Sequence, residues 1–146
     1  MTELNDIVED FDLLGDWDSR YQYLIELGER LPPMAQADRT ERHRVKACMS
    51  GVWVKAVTDP GNPDRVRFEG ECDTAIIKGV LALLIELASG RTAEEIQRLD
   101  VDEVFRRLAL DEHLSPNRHV GVYAIVDLMK QQAQECAPEP PSAVCA

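Results

Sequence analysis

The chain has 146 residues, of which 45% are hydrophobic and 29% charged, a balance typical of one globular domain with a buried core. Acidic residues number 27 against 16 basic ones, so the formal net charge is −11. This excess of negative charge argues against a surface that binds the phosphate backbone, so we expect no nucleic acid partner. The longest apolar run, 75–88, contains Lys78 and Glu86 and is too short to span a bilayer, so we expect no membrane partner.

The first third of the chain is predicted to be helical. Apolar residues recur at helical spacing from Leu4 to Phe11, which indicates a short amphipathic helix. A second helix is predicted over 16–31, where Pro32 and Pro33 stop it. The polar stretch 36–44 has no apolar period and is predicted to be a loop.

The centre of the chain changes to strand patterning. Apolar and polar residues alternate over 52–57 and again over 65–69, with a dense turn cluster between them at 58–64. This pattern predicts an antiparallel hairpin with a rather long loop. Val45 is a candidate for a third short strand.

The remainder is predicted to be helical. Either Asp73 or Thr74 is expected to cap a helix over 75–88, and Gly90 stands where a C-terminal glycine belongs. Three further helices are predicted to begin at Thr92, Asp100 and Ser115. The first two starts have a glutamate three residues later, Glu95 and Glu103, as in a capping box. The third has a proline, Pro116, at the first helical position, and its helix is predicted to reach about Glu135.

This order of elements predicts an α+β fold, a small antiparallel sheet of about three strands with helices packed on it. We expect a single domain over residues 1–136. The tail, 137–146, is rich in proline and has no apolar period, so it is predicted to be disordered.

Four cysteines, Cys48, Cys72, Cys136 and Cys145, form no CxxC pair, and the acidic N-terminus does not resemble a signal peptide. We therefore expect a cytoplasmic protein with reduced thiols. A secreted protein with two disulfides remains open on the count of cysteines alone.

Cys48 is the strongest candidate for chemistry. A Ser50-Gly51 turn signal and an apolar strand follow it, and a thiol at a turn can be presented to another molecule. A cysteine hydrolase also needs a histidine base, and no histidine has a recognisable spacing to Cys48. The alternative is a small buried residue without chemistry.

Two further residues are candidates for supporting roles. Arg118 falls in the first turn of the last predicted helix, where the helix dipole disfavours a cation, so a nearby anion, a thiolate, a salt bridge to Asp111 or Glu112, or plain solvation is expected to offset that cost. Asp73 is expected to be a helix cap, and partner recognition is the alternative. Cys72 could be a second metal ligand, a disulfide partner of Cys48 or a residue that fills a small niche.

Several segments together resemble the SufE family of sulfur acceptors in iron–sulfur cluster assembly. Their order and spacing carry the resemblance over most of the chain, up to about Gln134. They are WDSRY (17–21), LIELG (24–28), LP (31–32), Arg39, VKACMSGVW (45–53), DTAIIKG (73–79) and LSPNR (114–118). Two positions depart from the family pattern, since Ala47 stands where glycine is usual and Cys72 where a small hydroxyl residue is usual.

The resemblance implies a SufE/IscU-like fold and places the acceptor cysteine of the family at Cys48. It implies a protein that takes persulfide sulfur from a SufS-like cysteine desulfurase, stimulates that enzyme and passes the sulfur to a downstream iron–sulfur scaffold. Such a protein is a sulfur-transfer partner rather than a free-standing enzyme. It needs no cofactor of its own, because the pyridoxal phosphate belongs to the desulfurase. The resemblance also assigns Arg118 to the matching arginine of the family.

Two alternatives remain open at this point. A metal or iron–sulfur cluster-binding scaffold could use the same fold, although the two candidate thiols, Cys48 and Cys72, are few for such a site. A regulator could bind a desulfurase without accepting sulfur.

Overall fold

The computed structural model describes residues 3–47 and 51–136. Its N-terminal part contains helices α1 (Leu4–Leu14) and α2 (Trp17–Glu29). The Asp16 carboxylate accepts the N–H of Ser19 at 2.8 Å and so caps α2. The stretch that was predicted to be a loop contains two single 3₁₀ turns, Gln36–Asp38 and Glu41–His43.

The sheet has the strand order β1-β2-β3, formed by β1 (Val52–Asp59), β2 (Asn62–Cys72) and β3 (Arg91–Thr92), with antiparallel pairing throughout. The hairpin is tighter than predicted. Pairing continues into the turn cluster and leaves two residues between β1 and β2, with a register irregularity at Thr58 and Asp59 that accommodates the turn.

The third strand is not the predicted one. Val45 donates its N–H to the carbonyl of Val52 at 2.8 Å, and its neighbour Arg44 forms an isolated antiparallel bridge with Trp53, but no strand forms there. The third strand is β3, which follows the end of the central helix.

Helix α3 (Ala75–Ala88) packs on the sheet and contributes more buried hydrophobic residues to the core than any other described element. It crosses α2 at two glycines. A Cβ atom on Gly79 would lie 2.2 Å from the carbonyl oxygen of Leu24, and one on Gly28 would lie 2.9 Å from the nitrogen of Gly79. The two helix backbones therefore approach each other more closely than any larger residue would allow.

The C-terminal part consists of α4 (Ala93–Gln97), α5 (Val101–Leu108), α6 (Leu110–His113) and α7 (Pro116–Glu135). The predicted caps at Thr92, Asp100 and Ser115 are confirmed, since each side chain accepts a backbone N–H of its helix. None of the helices formed by the described residues combines the length and apolar character that a membrane span requires.

Helix α7 covers the outer edge of β1 through one side chain. The Gln132 amide donates to the carbonyl of Val54 at 2.8 Å and accepts the N–H of Ala56 at 2.9 Å. This amide takes the place of a neighbouring strand for these two backbone groups, which are therefore satisfied at the sheet edge. The predicted α+β fold, with helices packed on a three-stranded antiparallel sheet, is confirmed.

Candidate functional site

Cys48 lies outside the described residues, together with Met49 and Ser50. The chain on both sides of it is described. The hydrogen bond from Val45 to Val52 and the bridge between Arg44 and Trp53 hold the two flanks antiparallel. Residues 46–51 therefore connect two segments that lie side by side at the edge of the sheet.

The downstream flank is anchored by Asp73. The N–H of Gly51 donates to Asp73 Oδ2 at 3.0 Å, and the N–H of Asp73 donates to the Gly51 carbonyl at 3.1 Å. A Cβ atom on Gly51 would lie 2.7 Å from that carboxylate oxygen and 2.8 Å from the Trp53 ring, so glycine suits this position. Because Asp73 binds Gly51 through both its backbone and its side chain, it ties the first described residue after Cys48 to the start of α3.

This contact corrects the expectation that Asp73 caps α3. The N-cap residue is Thr74, and no side chain caps the helix there. The Asp73 carboxylate is instead bound to Gly51, 22 residues earlier in the chain.

A cluster of charges lies beside this anchor, centred on Glu71. Its carboxylate accepts hydrogen bonds from Lys78 at 2.9 Å, from Arg39 at 3.3 Å and from the N–H of Cys72 at 3.1 Å, and its side chain is 12% exposed. Burial by itself would raise the pKa of Glu71, but the hydrogen bonds from Lys78 and Cys72 and the charges of Lys78 and Arg39 lower it below its usual value.

Sequence reasoning missed this cluster because the second strand was predicted to end at residue 69. The alternation of polar and apolar positions does continue to Cys72, and that continuation was the available signal for Glu71. The partners Arg39 and Lys78 come from a 3₁₀ region and from α3, and no local pattern relates either of them to Glu71.

Cys72 is the last residue of β2 and pairs with Val52, so it lies at the end of the sheet where the chain returns from residues 48–50. It is 4% exposed. Its thiol donates to the carbonyl of Thr74 at 3.6 Å and accepts the N–H of Thr74 at 3.5 Å. The side chain thus fills a niche between the strand end and the first turn of α3.

Arg118 lies exposed in the first turn of α7, as predicted. Its N–H donates to the Ser115 hydroxyl at 3.4 Å. Within residues 3–47 and 51–136 no ion pair engages its guanidinium, so the salt bridge with Asp111 or Glu112 is not formed, and the exposed side chain agrees with the alternative of solvation. The structure does not bring Arg118 into a hydrogen bond with Asp73 or Gly51.

The three histidines have separate environments. The His43 ring is buried and donates from Nδ1 to the carbonyl of Asp38 at 2.7 Å. The His113 ring stacks on Trp17 with centroids 3.6 Å apart, and His119 stacks on Phe105 at 5.0 Å. In the described part of the chain, no three His, Cys, Asp or Glu side chains are grouped in a way that could hold a metal ion.

Comparison with known proteins agrees with this architecture. A solution structure of a hypothetical protein from Thermus thermophilus has a similar fold, with a TM-score of 0.72 over 91% of this chain and 94% of the other, at 23% sequence identity.

The sequence relatives are closer. An uncharacterized SufE-like protein of Rhizobium meliloti is 38% identical over 135 residues, which cover 92% of this chain and 96% of the relative. A second such protein, of Rhizobium etli, is 40% identical over 136 residues, with 92% and 91% covered. The family model for SufE, described as an Fe-S metabolism associated domain, matches residues 5–133. The chain therefore belongs to the SufE family and is associated with iron–sulfur metabolism.

Proposed function

We propose that the chain is a cytoplasmic sulfur acceptor and carrier. It receives sulfur on Cys48 from a SufS-like, pyridoxal phosphate-dependent cysteine desulfurase, stimulates that enzyme and delivers the sulfur to an iron–sulfur scaffold. The observation that carries the proposal is the SufE match over residues 5–133, which includes Cys48 within the segment whose flanks are tied to the sheet edge and to Asp73.

The transfer needs only a thiolate and a persulfide. The Cys48 thiolate attacks the outer sulfur of a cysteine persulfide on the desulfurase, forming a new S–S bond at Cys48. The S–S bond of the donor breaks, and the donor cysteine leaves as a thiolate that takes up a proton. One sulfane sulfur is transferred from the desulfurase to Cys48 without an external oxidant or reductant. Cys48 then carries a persulfide, which the next acceptor attacks.

A carrier must protect its persulfide between the two transfers. We propose that residues 48–50 are sheltered in the free protein and move outward when the desulfurase docks, with the Asp73–Gly51 anchor as the fixed end of that motion. Arg118 is proposed to stabilise negative charge on sulfur or to hold this segment. Its exposed position without an ion pair in the described chain leaves its guanidinium available for such a contact.

The test is site-resolved mass spectrometry after incubation with a desulfurase, pyridoxal phosphate and cysteine. The peptide containing Cys48 should gain one sulfur atom, and Cys48→Ser should abolish both this gain and the stimulation of the desulfurase. Sulfur retained by Cys48→Ser would move the acceptor role to another cysteine.

Two controls separate the remaining interpretations. Arg118→Ala should slow sulfur loading, and an unchanged loading rate with unchanged desulfurase affinity would remove Arg118 from the mechanism. Anaerobic reconstitution with iron and sulfide should leave the protein colourless, whereas a brown, cluster-bearing product would identify a scaffold.

A further inference from the structure

A groove of about 410 Å³ runs between the chain segment that precedes Cys48 and helix α7. One wall is the segment 41–46. The other wall is one face of α7. The groove is lined by Glu41, Arg42, Arg44, Val45, Lys46, Ala124, Asp127, Leu128 and Gln131.

The first wall is basic in a chain whose net charge is −11. It presents Arg42, Arg44 and Lys46 within five residues. The exposed Arg42 and Lys46 form no ion pair within the described ranges, and Arg44 reaches Glu41 only at 3.8 Å. The carboxylate on the opposite wall is Asp127. Three cations at one edge are therefore incompletely neutralised by the protein itself.

One donor in this wall is buried without an acceptor. The Nε–H of Arg44 is shielded from solvent and has no hydrogen-bond partner among residues 3–47 and 51–136. A buried donor of this kind carries a desolvation cost. The incompletely neutralised cations of this wall suit it to an acidic occupant.

The second wall is apolar along one stripe. Ala124 and Leu128 line this wall, and Val120, one turn before Ala124, continues the same face of α7 beyond the residues that line the groove, so the stripe is about 12 Å long. Val120 is 56% exposed, and the other two side chains are only partly buried. An occupant with an apolar side and an acidic side would satisfy both walls at once.

We propose that this groove docks an acidic, amphipathic segment of the desulfurase that donates the sulfur. The inference rests on the proposed function and adds a binding surface to it. Lys46 is two residues from Cys48, and Val45 is hydrogen-bonded to the strand on the far side of the segment 46–51. A segment held in the groove therefore contacts the chain two residues before Cys48. Since acidic proteins repel an acidic partner elsewhere on their surfaces, a local basic wall also orients the approach.

The test is the affinity of the desulfurase for charge-reversal variants, measured by isothermal titration calorimetry at several salt concentrations. Arg42→Glu combined with Lys46→Glu should weaken binding at least about tenfold at low salt and flatten its salt dependence. The matched control is Arg30→Glu combined with Arg67→Glu, which has the same net charge and alters two exposed arginines outside the groove. It should bind within about twofold of wild type.

The apolar stripe has its own pair of variants. Val120→Glu should also weaken binding, whereas Leu13→Glu, at a side chain on α1 that is 86% exposed, should not. Equal losses in the groove and control variants would overturn the proposal, because overall charge would then explain them.

A second readout, sulfur on Cys48, separates this inference from the function it rests on. Normal affinity of the groove variants while Cys48 is loaded normally would overturn the groove and leave the sulfur-acceptor function standing. A wild-type protein that neither binds the desulfurase nor gains sulfur would overturn both. If the groove variants gained sulfur on Cys48 normally but delivered it slowly to a scaffold, the groove would bind the scaffold. That result would overturn its assignment to the desulfurase.

Discussion

Replacing Asp73 by alanine should loosen the segment that contains Cys48 while the fold stays intact. The substitution removes the carboxylate that accepts the Gly51 N–H at 3.0 Å. It leaves the backbone hydrogen bond between the same two residues, 3.1 Å long, in place. The anchor is therefore weakened rather than abolished.

The size of the effect follows from the exposure of the carboxylate. Hydrogen bonds to charged groups contribute about 1.5–3 kcal/mol, and Asp73 is exposed to solvent, so we take about 1 kcal/mol. This corresponds to a roughly fivefold larger population of the released segment, since 1.4 kcal/mol is about a factor of ten. The melting temperature should fall by about 2–4 °C for a chain of this length.

The assay is the rate of alkylation of Cys48 by iodoacetamide, followed by peptide mass spectrometry so that the other cysteines do not contribute. Under the proposal that Cys48 is sheltered in the free protein, Asp73→Ala should react about fivefold faster than wild type, because alkylation then proceeds from the released segment. Asp16→Ala is the matched control. It also removes a carboxylate that accepts one backbone N–H, at 2.8 Å, but at the start of α2.

The control should lose a similar amount of stability without changing the reactivity of Cys48. Equal alkylation rates in wild type and Asp73→Ala would refute the reasoning. So would an equal increase in Asp16→Ala, since general destabilisation would then account for both.

Two other predictions concern the structure around the site. Glu71→Gln should cost about 1–2 kcal/mol at pH 7 by leaving Lys78 without its carboxylate partner. The folded state lowers the pKa of Glu71, so this stabilisation is present above the usual pKa of 4.5 and is lost as the pH falls below that value. Urea unfolding at several pH values would detect the loss. Gly79→Ala should lower the melting temperature by roughly 4–8 °C, because the new Cβ atom would lie 2.2 Å from the Leu24 carbonyl oxygen. Alanine gains about 1 kcal/mol in helix propensity, but the cost of overpacking is larger.

A specific result would contradict each of these two predictions. A stability difference between wild type and Glu71→Gln that did not change between pH 7 and about pH 3.5 would show that the carboxylate charge is unimportant there. For Gly79 the control is Gly61→Ala, where the nearest atom to a new Cβ is 3.7 Å away and little change is expected. Equal melting temperatures for the two alanine variants would mean that α2 and α3 can separate without cost.

Local sequence patterns predicted much of the fold. The helix starts at Thr92, Asp100 and Ser115 were predicted correctly, because a cap involves a side chain and an N–H only two or three residues away. The two main strands were also found from their alternation. The errors concern the turn between them and the third strand, where pairing with distant residues decided the outcome.

The residues of the candidate site were likewise predicted only in part. Cys48 was selected from its neighbours in the chain and from the SufE resemblance, and its role stays a prediction. The interaction of Asp73 was predicted wrongly, because a short polar residue before a helix is usually its cap, and here a backbone N–H 22 residues away competes for the carboxylate.

The sequence by itself determined the α+β class, most helix boundaries and the cysteine to examine, because these depend on periodicity and on hydrogen bonds within a few residues. Only the tertiary structure decided the long-range contacts of the described residues. The Asp73–Gly51 anchor spans 22 residues, the Arg39–Glu71 pair spans 32 and the Gln132–Val54 contact spans 78. Such contacts form only when the packing of α3 and α7 on the sheet brings their partners together, and no local pattern encodes that packing.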